Sequence, residues 1–354
     1  MLHLADNRRG SARDTCEVIR VLRTILRGTV VISALAPMWI TGCASNLQPS
    51  LIAQAQTKSV GSAHVSWMDP AAKTTSTLLY VSNYSAGDVT VYSYQDAKNI
   101  KLLGTITGFL HPEGLCSDNS GNVWVSDYGG KALYEYAHGG SMPIAKIHQH
   151  AGYPNDCAVD PKTGNLAVAN ALPTFHYRDE GVVTVYKPGA HEGTHYRGGS
   201  LQTRYFDLTY DNKSNLFVEC EDDYGYIGPL AEAPAGSTSF NQIELGSNVE
   251  FSAFSGLQWI NPTLLMGGLT DSEYSSVAYK LLVSGSSATV VQTLRFSNTQ
   301  QAQGMWRRAG NVAVTDYLND AVEIYRISDG SYVTSVTDDI SGPYGTTISA
   351  LPKK

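Results

Sequence analysis

Charged residues are scarce in this 354-residue chain: Lys, Arg, Asp and Glu make up 16% of it, and hydrophobic residues 42%. This composition excludes an intrinsically disordered chain, because enough apolar surface is present to fill a sizeable core. The chain also lacks any long apolar run after residue 60, so no helix in that part is expected to span a bilayer. An excess of positive charge is missing too, since the formal net charge is −7, and nucleic acid is not an expected partner.

Two catalytic motifs are absent from the sequence. No Gly-rich phosphate loop stands between a strand and a helix, and no G-x-S-x-G elbow is present, which argues against nucleotide binding and against an elbow-type serine hydrolase. Cysteine is sparse, with five copies. Beyond residue 43 only Cys116, Cys157 and Cys220 remain, an odd number. We expect them to be buried strand residues, with one disulfide among the three left open.

Glycine and tyrosine are abundant, with 33 and 21 copies, and they alternate with runs of Val and Thr. Aromatic and β-branched side chains suit a pleated surface, and Gly supplies the dihedral angles of tight turns. The sequence therefore predicts an all-β protein built from many short strands.

The N-terminal region has the pattern of a bacterial export signal. Six Arg residues precede the apolar stretch 29–40, which ends in Ile40-Thr41-Gly42-Cys43. This tetrapeptide resembles the bacterial lipobox, which implies that Cys43 is acylated and becomes the first residue. The alternatives are an ordinary signal peptide and an uncleaved anchor. We expect a signal peptide at 1–42, the lipidated Cys and a tether at 43–62, and a folded domain at 63–354. The expected location is the bacterial cell envelope, facing the periplasm or the surface, with the membrane contacted through the lipid.

One strand pattern recurs along the domain. It comprises an apolar strand closed by a polar residue, then a turn with Asp, Asn or Gly, then a second strand. The six copies lie at 78–83, 122–127, 165–170, 215–220, 263–268 and 311–316, with starts 43 to 50 residues apart. Periods of about 40 to 50 residues with four strands each are typical of propeller blades. The sequence predicts a six-bladed β-propeller with four-stranded antiparallel blades.

An additional strand opened by a Pro or Gly turn precedes most copies, as in HPEGLCSD and YPNDCAVD. These are the predicted inner strands. Blades converge there, so small residues are needed where backbones crowd, and Gly114, Gly256 and Gly304 are placed to meet that need. For the first copy, segments 64–68 and 342–350 are both candidates for the inner position.

The stretch HPEGLCSDNSGNVWVSD resembles the NHL repeat, and the resemblance extends over about residues 62–350. The wider group includes the regucalcin and gluconolactonase family. The resemblance implies the propeller fold but leaves function open, because the scaffold hosts enzymes, ligand binders and protein-interaction modules.

The regucalcin-like lactonases hold a divalent cation in the channel through Glu, Asn and Asp side chains. Similarity to them implies Ca²⁺ or another divalent cation on Glu113, Asn155 and Asp207, since oxygen ligands suit hard cations. Channel-mouth binding candidates are Glu113, Asn155, Asp156, Asp207 and Gln303. The match is incomplete, because Ser255 stands where an Asp is wanted. The alternative is that Glu113, Asn155 and Asp156 are turn residues that bond local backbone.

Three other polar features need interpretation. The segment His191-Glu192-Gly193-Thr194-His195 matches H-E-x-x-H, but the flanking Gly and Pro residues predict a loop instead of the helix that a zinc protease needs. The acidic run Glu219, Glu221, Asp222 and Asp223 is expected on an exposed loop, solvated or holding calcium. The strand-ending residues Asn83, Asp127, Asn170 and Asp316 are expected to cap turns. Loop aromatics suited to a sugar or peptide, or to packing between blades, are Tyr153, His176, Tyr224, Tyr226 and Tyr344.

Two functions remain in competition. The favoured one is a lipid-anchored envelope propeller that acts as a scaffold for an unknown protein or small-molecule ligand, without assigned catalysis. The other is a metal-dependent lactonase- or esterase-like hydrolase with a cation at the channel mouth. The enzyme would need convergent ligands at the channel mouth, whereas the scaffold would need only a binding surface.

Overall fold

The computed structural model describes residues 65–95, 97, 99–171, 181–198, 204–221, 227–246, 249, 253–270 and 275–352. By its internal contacts the chain divides after Ala63, and His64–Lys354 forms one compact unit. The predicted signal peptide, Cys43 and the tether lie outside the described residues. Within the described ranges, no helix is long and apolar enough to cross a membrane.

The described residues form 25 strands and one short 3₁₀ helix, Pro70–Thr74. One sheet has the order β1-β4-β3-β2-β25, formed by β1 Trp67–Met68, β2 Thr77–Asn83, β3 Asp88–Ser93, β4 Leu102–Thr107 and β25 Pro343–Ala350. The next contains β5 Pro112–Ser117, β6 Val123–Asp127, β7 Ala132–Tyr136 and β8 Pro143–His148. A third contains β9 Pro154–Val159, β10 Leu166–Asn170, β11 Val182–Tyr186 and β12 Thr194–Tyr196.

The remaining strands form two sheets. The larger has eight strands, namely β13 Arg204–Tyr210, β14 Leu216–Glu221, β15 Ile227–Ala233, β16 Asn241–Leu245, β17 Ala253–Ile260, β18 Thr263–Leu269, β19 Ser276–Ser284 and β20 Ser287–Arg295. The smaller contains β21 Ala302–Arg308, β22 Asn311–Asp316, β23 Ala321–Arg326 and β24 Tyr332–Val336. The prediction of an all-β propeller with four-stranded antiparallel sheets is confirmed, apart from the number of sheets. The recurring strand of each copy corresponds to β2, β6, β10, β14, β18 or β22.

The number of sheets differs from the six that were predicted, because the described strands form five hydrogen-bonded sheets. The eight-stranded sheet consists of an antiparallel group β13–β16 and an antiparallel group β17–β20. These two groups are joined by a short parallel pairing of β16 with β20, in which Glu244 lies opposite Ser287 and Leu245 opposite Ala288. The repeat pattern in the sequence does not report such a pairing between outer strands.

The inner strands form a closed cycle of contacts. β5 contacts β9, β9 contacts β13, β13 contacts β17, β17 contacts β21, β21 contacts β25, and β25 returns to β5. The C-terminal β25 also pairs antiparallel with β2, from Thr77 opposite Ala350 to Asn83 opposite Pro343. Segment 342–350 therefore supplies the inner strand of the first sheet. The alternative assignment of 64–68 was wrong, because Trp67 and Met68 pair with β4 at the outer edge.

Glycines stand where the inner strands approach one another, as predicted. A Cβ atom on Gly114 would lie 2.5 Å from the Cα of Asp156. One on Gly256 would lie 2.8 Å from the backbone nitrogen of Met305, and one on Gly304 would lie 2.7 Å from the carbonyl oxygen of Tyr344. Side chains are excluded at these positions by backbone, which cannot move aside as a flexible side chain can.

Hydrophobic cores lie between neighbouring sheets. Leu78 and Tyr80 of β2, for example, are buried in one cluster with Val123 and Val125 of β6. A disulfide joins Cys116 of β5 to Cys157 of β9, with Cα atoms 5.6 Å apart, so one of the pairings left open by the sequence is present. Cys220 is buried on β14. All three cysteines are strand residues, as expected.

Candidate functional site

Residues at the ends of the recurring strands β6 and β22 hold the loops that lead into the inner strands β5 and β21. Oδ1 of Asp127 accepts hydrogen bonds from the backbone N–H groups of Leu110 and His111, both at 3.0 Å. Asp316 accepts from the N–H groups of Gln300 and Gln301 in the equivalent place. These contacts fix the loops that precede β5 and β21. The predicted cap of the following turn is present at Asp127, whose Oδ1 also accepts from the N–H of Gly130 at 3.2 Å, but it is not common to all four positions, because the amide of Asn170 donates to strand carbonyls instead.

A cavity lies among the inner strands, close to where they begin. Its empty volume is about 350 Å³, including the part open to solvent. Four predicted candidates line it, namely Asn155, Asp156, Asp207 and Gln303. The structure therefore brings these four residues together. Glu113 is not among the lining residues, although its neighbour Gly114 is.

Two carboxylates of the cavity bind the backbone of the following inner strand. Oδ2 of Asp156, on β9, accepts a hydrogen bond from the N–H of Leu208 on β13 at 3.3 Å. Oδ2 of Asp207, on β13, accepts one from the N–H of Gly256 on β17 at 3.1 Å. Each contact fixes a carboxylate at the cavity wall and ties two neighbouring inner strands together.

Glu113 and Asn155 are almost completely buried, with 1% and 2% of their surface exposed. The carbonyl oxygen of Glu113 accepts a hydrogen bond of 2.5 Å from the hydroxyl of Ser82, which fixes the backbone of β5 against β2. Oδ1 of Asn155 has no hydrogen-bond partner. A buried carbonyl oxygen without a donor costs about 1–3 kcal/mol, so Asn155 is an unusual residue at the cavity wall.

Glu219 was missed as a site residue, and its assignment to an exposed acidic loop was wrong. It lies on β14 with 0% of its surface exposed, because the strand continues to Glu221. Neither of its carboxyl oxygens has a hydrogen-bond partner of normal geometry. The repeat register contained a signal for this position: the residue equivalent to Glu219 is Ser82, Ser126, Ala169, Gly267 or Thr315 in the other copies, all of them small.

Burial makes the carboxyl groups of this region hard to ionise. It raises the pKa of Asp156 well above its usual range, and the nearby charges of Asp207 and then Glu113 raise that pKa further. Burial likewise raises the pKa of Glu219 well above its usual range, with Asp207 as the next cause. The acids therefore interact as one group, which we call the acid cluster and define as Glu113, Asp156, Asp207 and Glu219.

The predicted metal ligands Glu113, Asn155 and Asp207 remain a prediction. Within the part of the chain that the structure describes, no group of three or more His, Cys, Asp or Glu side chains is arranged to hold a metal ion. In the H-E-x-x-H segment, His195 is in strand β12, and its Nδ1 lies 3.2 Å from the hydroxyl of Thr184. The expectation that this segment is not a helix is confirmed. Asp222, Asp223, His176, Tyr224 and Tyr226 lie outside the described residues.

Aromatic rings surround the start of the inner strands. The ring of Tyr84 stacks on that of His111, with centroids 4.5 Å apart and planes 16° apart. Tyr84 also lies 5.9 Å from the ring of Tyr344, which lines the cavity. We call Tyr84, His111 and Tyr344 the aromatic rim. A second pair, Tyr128 and Tyr153, has centroids 4.9 Å apart, and the ammonium of Lys131 lies 4.0 Å over the ring of Tyr153.

No model of a known protein family matches the chain, and neither does any curated protein. Among solved structures, a nidogen/laminin complex is similar over 78% of this chain and 100% of its own, with 15% identity and a TM-score of 0.60. A protein of unknown function from Bacteroides caccae is similar over 77% of this chain and 98% of its own, with 12% identity and a TM-score of 0.55.

The β-propeller domain of Cps50 (Swd1) from Myceliophteria thermophila is similar over 82% of this chain and 91% of its own, with 11% identity and a TM-score of 0.52. At identities this low, the similarity establishes the β-propeller fold and nothing about activity.

Proposed function

We propose that this chain is an envelope β-propeller that binds a ligand in the cavity among its inner strands and is displayed by a lipid on Cys43. The observation that carries the proposal is the cavity itself, where Asn155, Asp156, Asp207 and Gln303 converge. A concave site with a few converging polar groups is the usual form of a small-ligand site.

Six blades are part of the proposal, as is a relationship to the NHL-repeat and regucalcin group. In support, six strand groups can be counted if the eight-stranded sheet is divided at the short pairing of β16 with β20. Each group then starts from one member of the closed cycle of inner strands. The repeat HPEGLCSDNSGNVWVSD supports the relationship.

The lipid anchor is supported by the sequence Ile40-Thr41-Gly42-Cys43 after an apolar stretch. The full chain, produced in a bacterial host, is expected to fractionate with membranes and to carry a diacylglycerol-sized mass on Cys43. Cys43→Ser should abolish both the added mass and membrane retention. Cys16→Ser is the matched control, since that residue precedes the expected cleavage site and should change neither. Unchanged mass and fractionation in Cys43→Ser would refute the anchor.

The second candidate, a metal-dependent lactonase- or esterase-like hydrolase, is favoured by one observation. Oδ1 of Asn155 is buried without a donor at a wall shared with two carboxylates, and such oxygens are the ligands that Ca²⁺ prefers. Calorimetric titration with CaCl₂ and ZnCl₂ separates the candidates. The scaffold predicts no stoichiometric binding. One bound ion that is lost in Asp207→Asn, and retained in the exposed control Asp329→Asn, would instead establish a metal centre and justify a screen of lactones and esters.

A further inference from the structure

The cavity is acidic and has no basic counterpart at its wall. Asp156 and Asp207 line it, and Glu219 is close enough to Asp207 for the two carboxyl groups to interact. Among the described lining residues, none is Lys, Arg or His. When the acid cluster ionises, its charge is therefore not offset within the wall, and the repulsion among its members favours a positively charged occupant.

Asn155 adds an independent requirement. Asn155 lines the same cavity and is almost completely buried, and its Oδ1 has no hydrogen-bond partner. The amide oxygen of Asn155 only accepts hydrogen bonds, and so do the carboxylates of Asp156 and Asp207 once a bound cation offsets the burial that favours their protonated forms. An occupant that satisfies both Asn155 and the two aspartates must therefore offer several donors together with its positive charge, and the ammonium group, with three N–H donors, does so.

The acceptors of the wall limit the kind of charged group. A primary ammonium group offers three N–H donors to them. A quaternary ammonium group offers none, so the same wall selects against it.

The aromatic rim provides a surface for the rest of the ligand. Tyr344 lines the cavity, its ring lies against that of Tyr84, and Tyr84 stacks on His111. Leu110, beside His111, exposes 65% of its surface. Aromatic faces attract cations and bury apolar groups, so an apolar body attached to an ammonium group would contact this rim while its charge enters the cavity.

We propose that the cavity binds the primary ammonium group of an organic cation, with the apolar body of that cation packed on the aromatic rim. The proposal rests on the ligand-binding function proposed above, for which it names the chemical class of ligand. The charged group is held by Asp156, Asp207 and Oδ1 of Asn155, and Gln303 is a further residue of the cavity wall.

The test is calorimetric titration of the purified full chain in a nonionic detergent with 2-phenylethylammonium chloride. We expect one site. The neutral 2-phenylethanol, which has the same body, and trimethyl(2-phenylethyl)ammonium, which has no N–H donor, should each bind at least about tenfold more weakly. Asp207→Asn and Asp156→Asn should each weaken binding of the primary amine to a similar extent, and the exposed control Asp329→Asn should leave it unchanged.

A gain-of-charge variant keeps the test decisive if an aspartate variant folds poorly. Gln303→Lys should place an ammonium in the cavity, abolish binding of the probe and raise the melting temperature. Equal binding of the amine and the alcohol, or an amine that Gln303→Lys does not displace, would overturn the proposal. Binding of Ca²⁺ without binding of the amine would also overturn it. The ligand-binding function proposed above would then stand, with a metal ion as the ligand. Absence of binding by every probe would reject this ligand class, whereas the anchor on Cys43 is decided separately by fractionation.

Discussion

Glu219 occupies a position that the repeat reserves for small residues. Its equivalents Ser82 and Thr315 use their hydroxyls to bond the backbone of inner strands, which a small side chain can do without displacing a neighbour. A glutamate there places a carboxyl group in a buried site next to Asp207. Because burial without a paired cation penalises the charged form, this residue costs stability whenever it ionises.

The pH dependence of stability follows from that cost. The folded protein keeps a proton on Glu219 that the unfolded chain releases above its ordinary pKa of 4.5, so stability falls as the pH rises from about that value through the raised pKa. Glu219→Gln has the same shape and no charge to bury. We expect it to melt like the wild type near pH 4 and at a higher temperature at pH 8, measured by circular dichroism.

The control for this experiment is Glu192→Gln, because Glu192 is exposed in the loop after β11. The difference between its melting temperature and that of the wild type should be the same at every pH. If Glu219→Gln also followed the wild type at every pH, the carboxyl group of Glu219 would be ionised in the folded protein at no cost, contrary to the expectation.

Residue-level prediction from the sequence depended on how each residue type was interpreted. Asn155, Asp156 and Asp207 were found because they begin predicted inner strands, where the channel must lie. Glu219 was missed because neighbouring acids suggested a solvated loop, although its register in the repeat pointed to the crowded interior. Glu113 was predicted at the channel mouth, and it is not among the lining residues of the cavity, although its neighbour Gly114 is.

At the scale of strands, local pattern predicted the recurring strand of every copy, because alternation of apolar residues and a closing turn are local properties. The choice between 64–68 and 342–350 for the inner position was not local. Both segments are short and extended, and only pairing with β2, which is distant in sequence from β25, decides between them. Such pairings depend on tertiary contacts that a single sequence does not encode in its periodicity.

The pairing of β16 with β20 likewise depends on tertiary contacts and not on local sequence pattern. β19 and β20 have nine residues each, longer than the outer strands β8, β12, β16 and β24. The start of β20 therefore reaches β16, where the N–H of Glu244 also donates to the carbonyl oxygen of Ser286 at 2.9 Å. The recurring strands were predictable from the repeats, whereas the joining of two sheets depends on the length of strands distant in sequence.

For the whole molecule, stability depends on closure of the ring. The two ends of the domain meet where β25 pairs with β2 and packs on β5. The hydroxyl of Ser82 accepts a hydrogen bond from the N–H of Gly345 at 2.7 Å and donates to the carbonyl oxygen of Glu113 at 2.5 Å. One side chain on β2 thereby joins the two inner strands β5 and β25. The contact between Ser82 and Gly345 spans more than 260 positions of the sequence.

Gly345→Ala tests this closure without removing any hydrogen-bonding group. The added Cβ would lie 2.9 Å from the Cα of Gly114 and against the carbonyl of Glu113, so β25 must move away from β5. Overpacking of this kind costs about 1–3 kcal/mol, and about 2–4 °C in melting temperature is lost per kcal/mol in a domain of this size. Gly310→Ala is the matched control, because a Cβ there meets nothing within 4 Å, and calorimetry should show no loss of melting temperature.

The strands of a ring stabilise one another, so Gly345→Ala should lower the temperature of a single cooperative transition. A separate early transition, with the remainder melting as in the wild type, would show that the sheets unfold independently. Closure would then not be what holds them together.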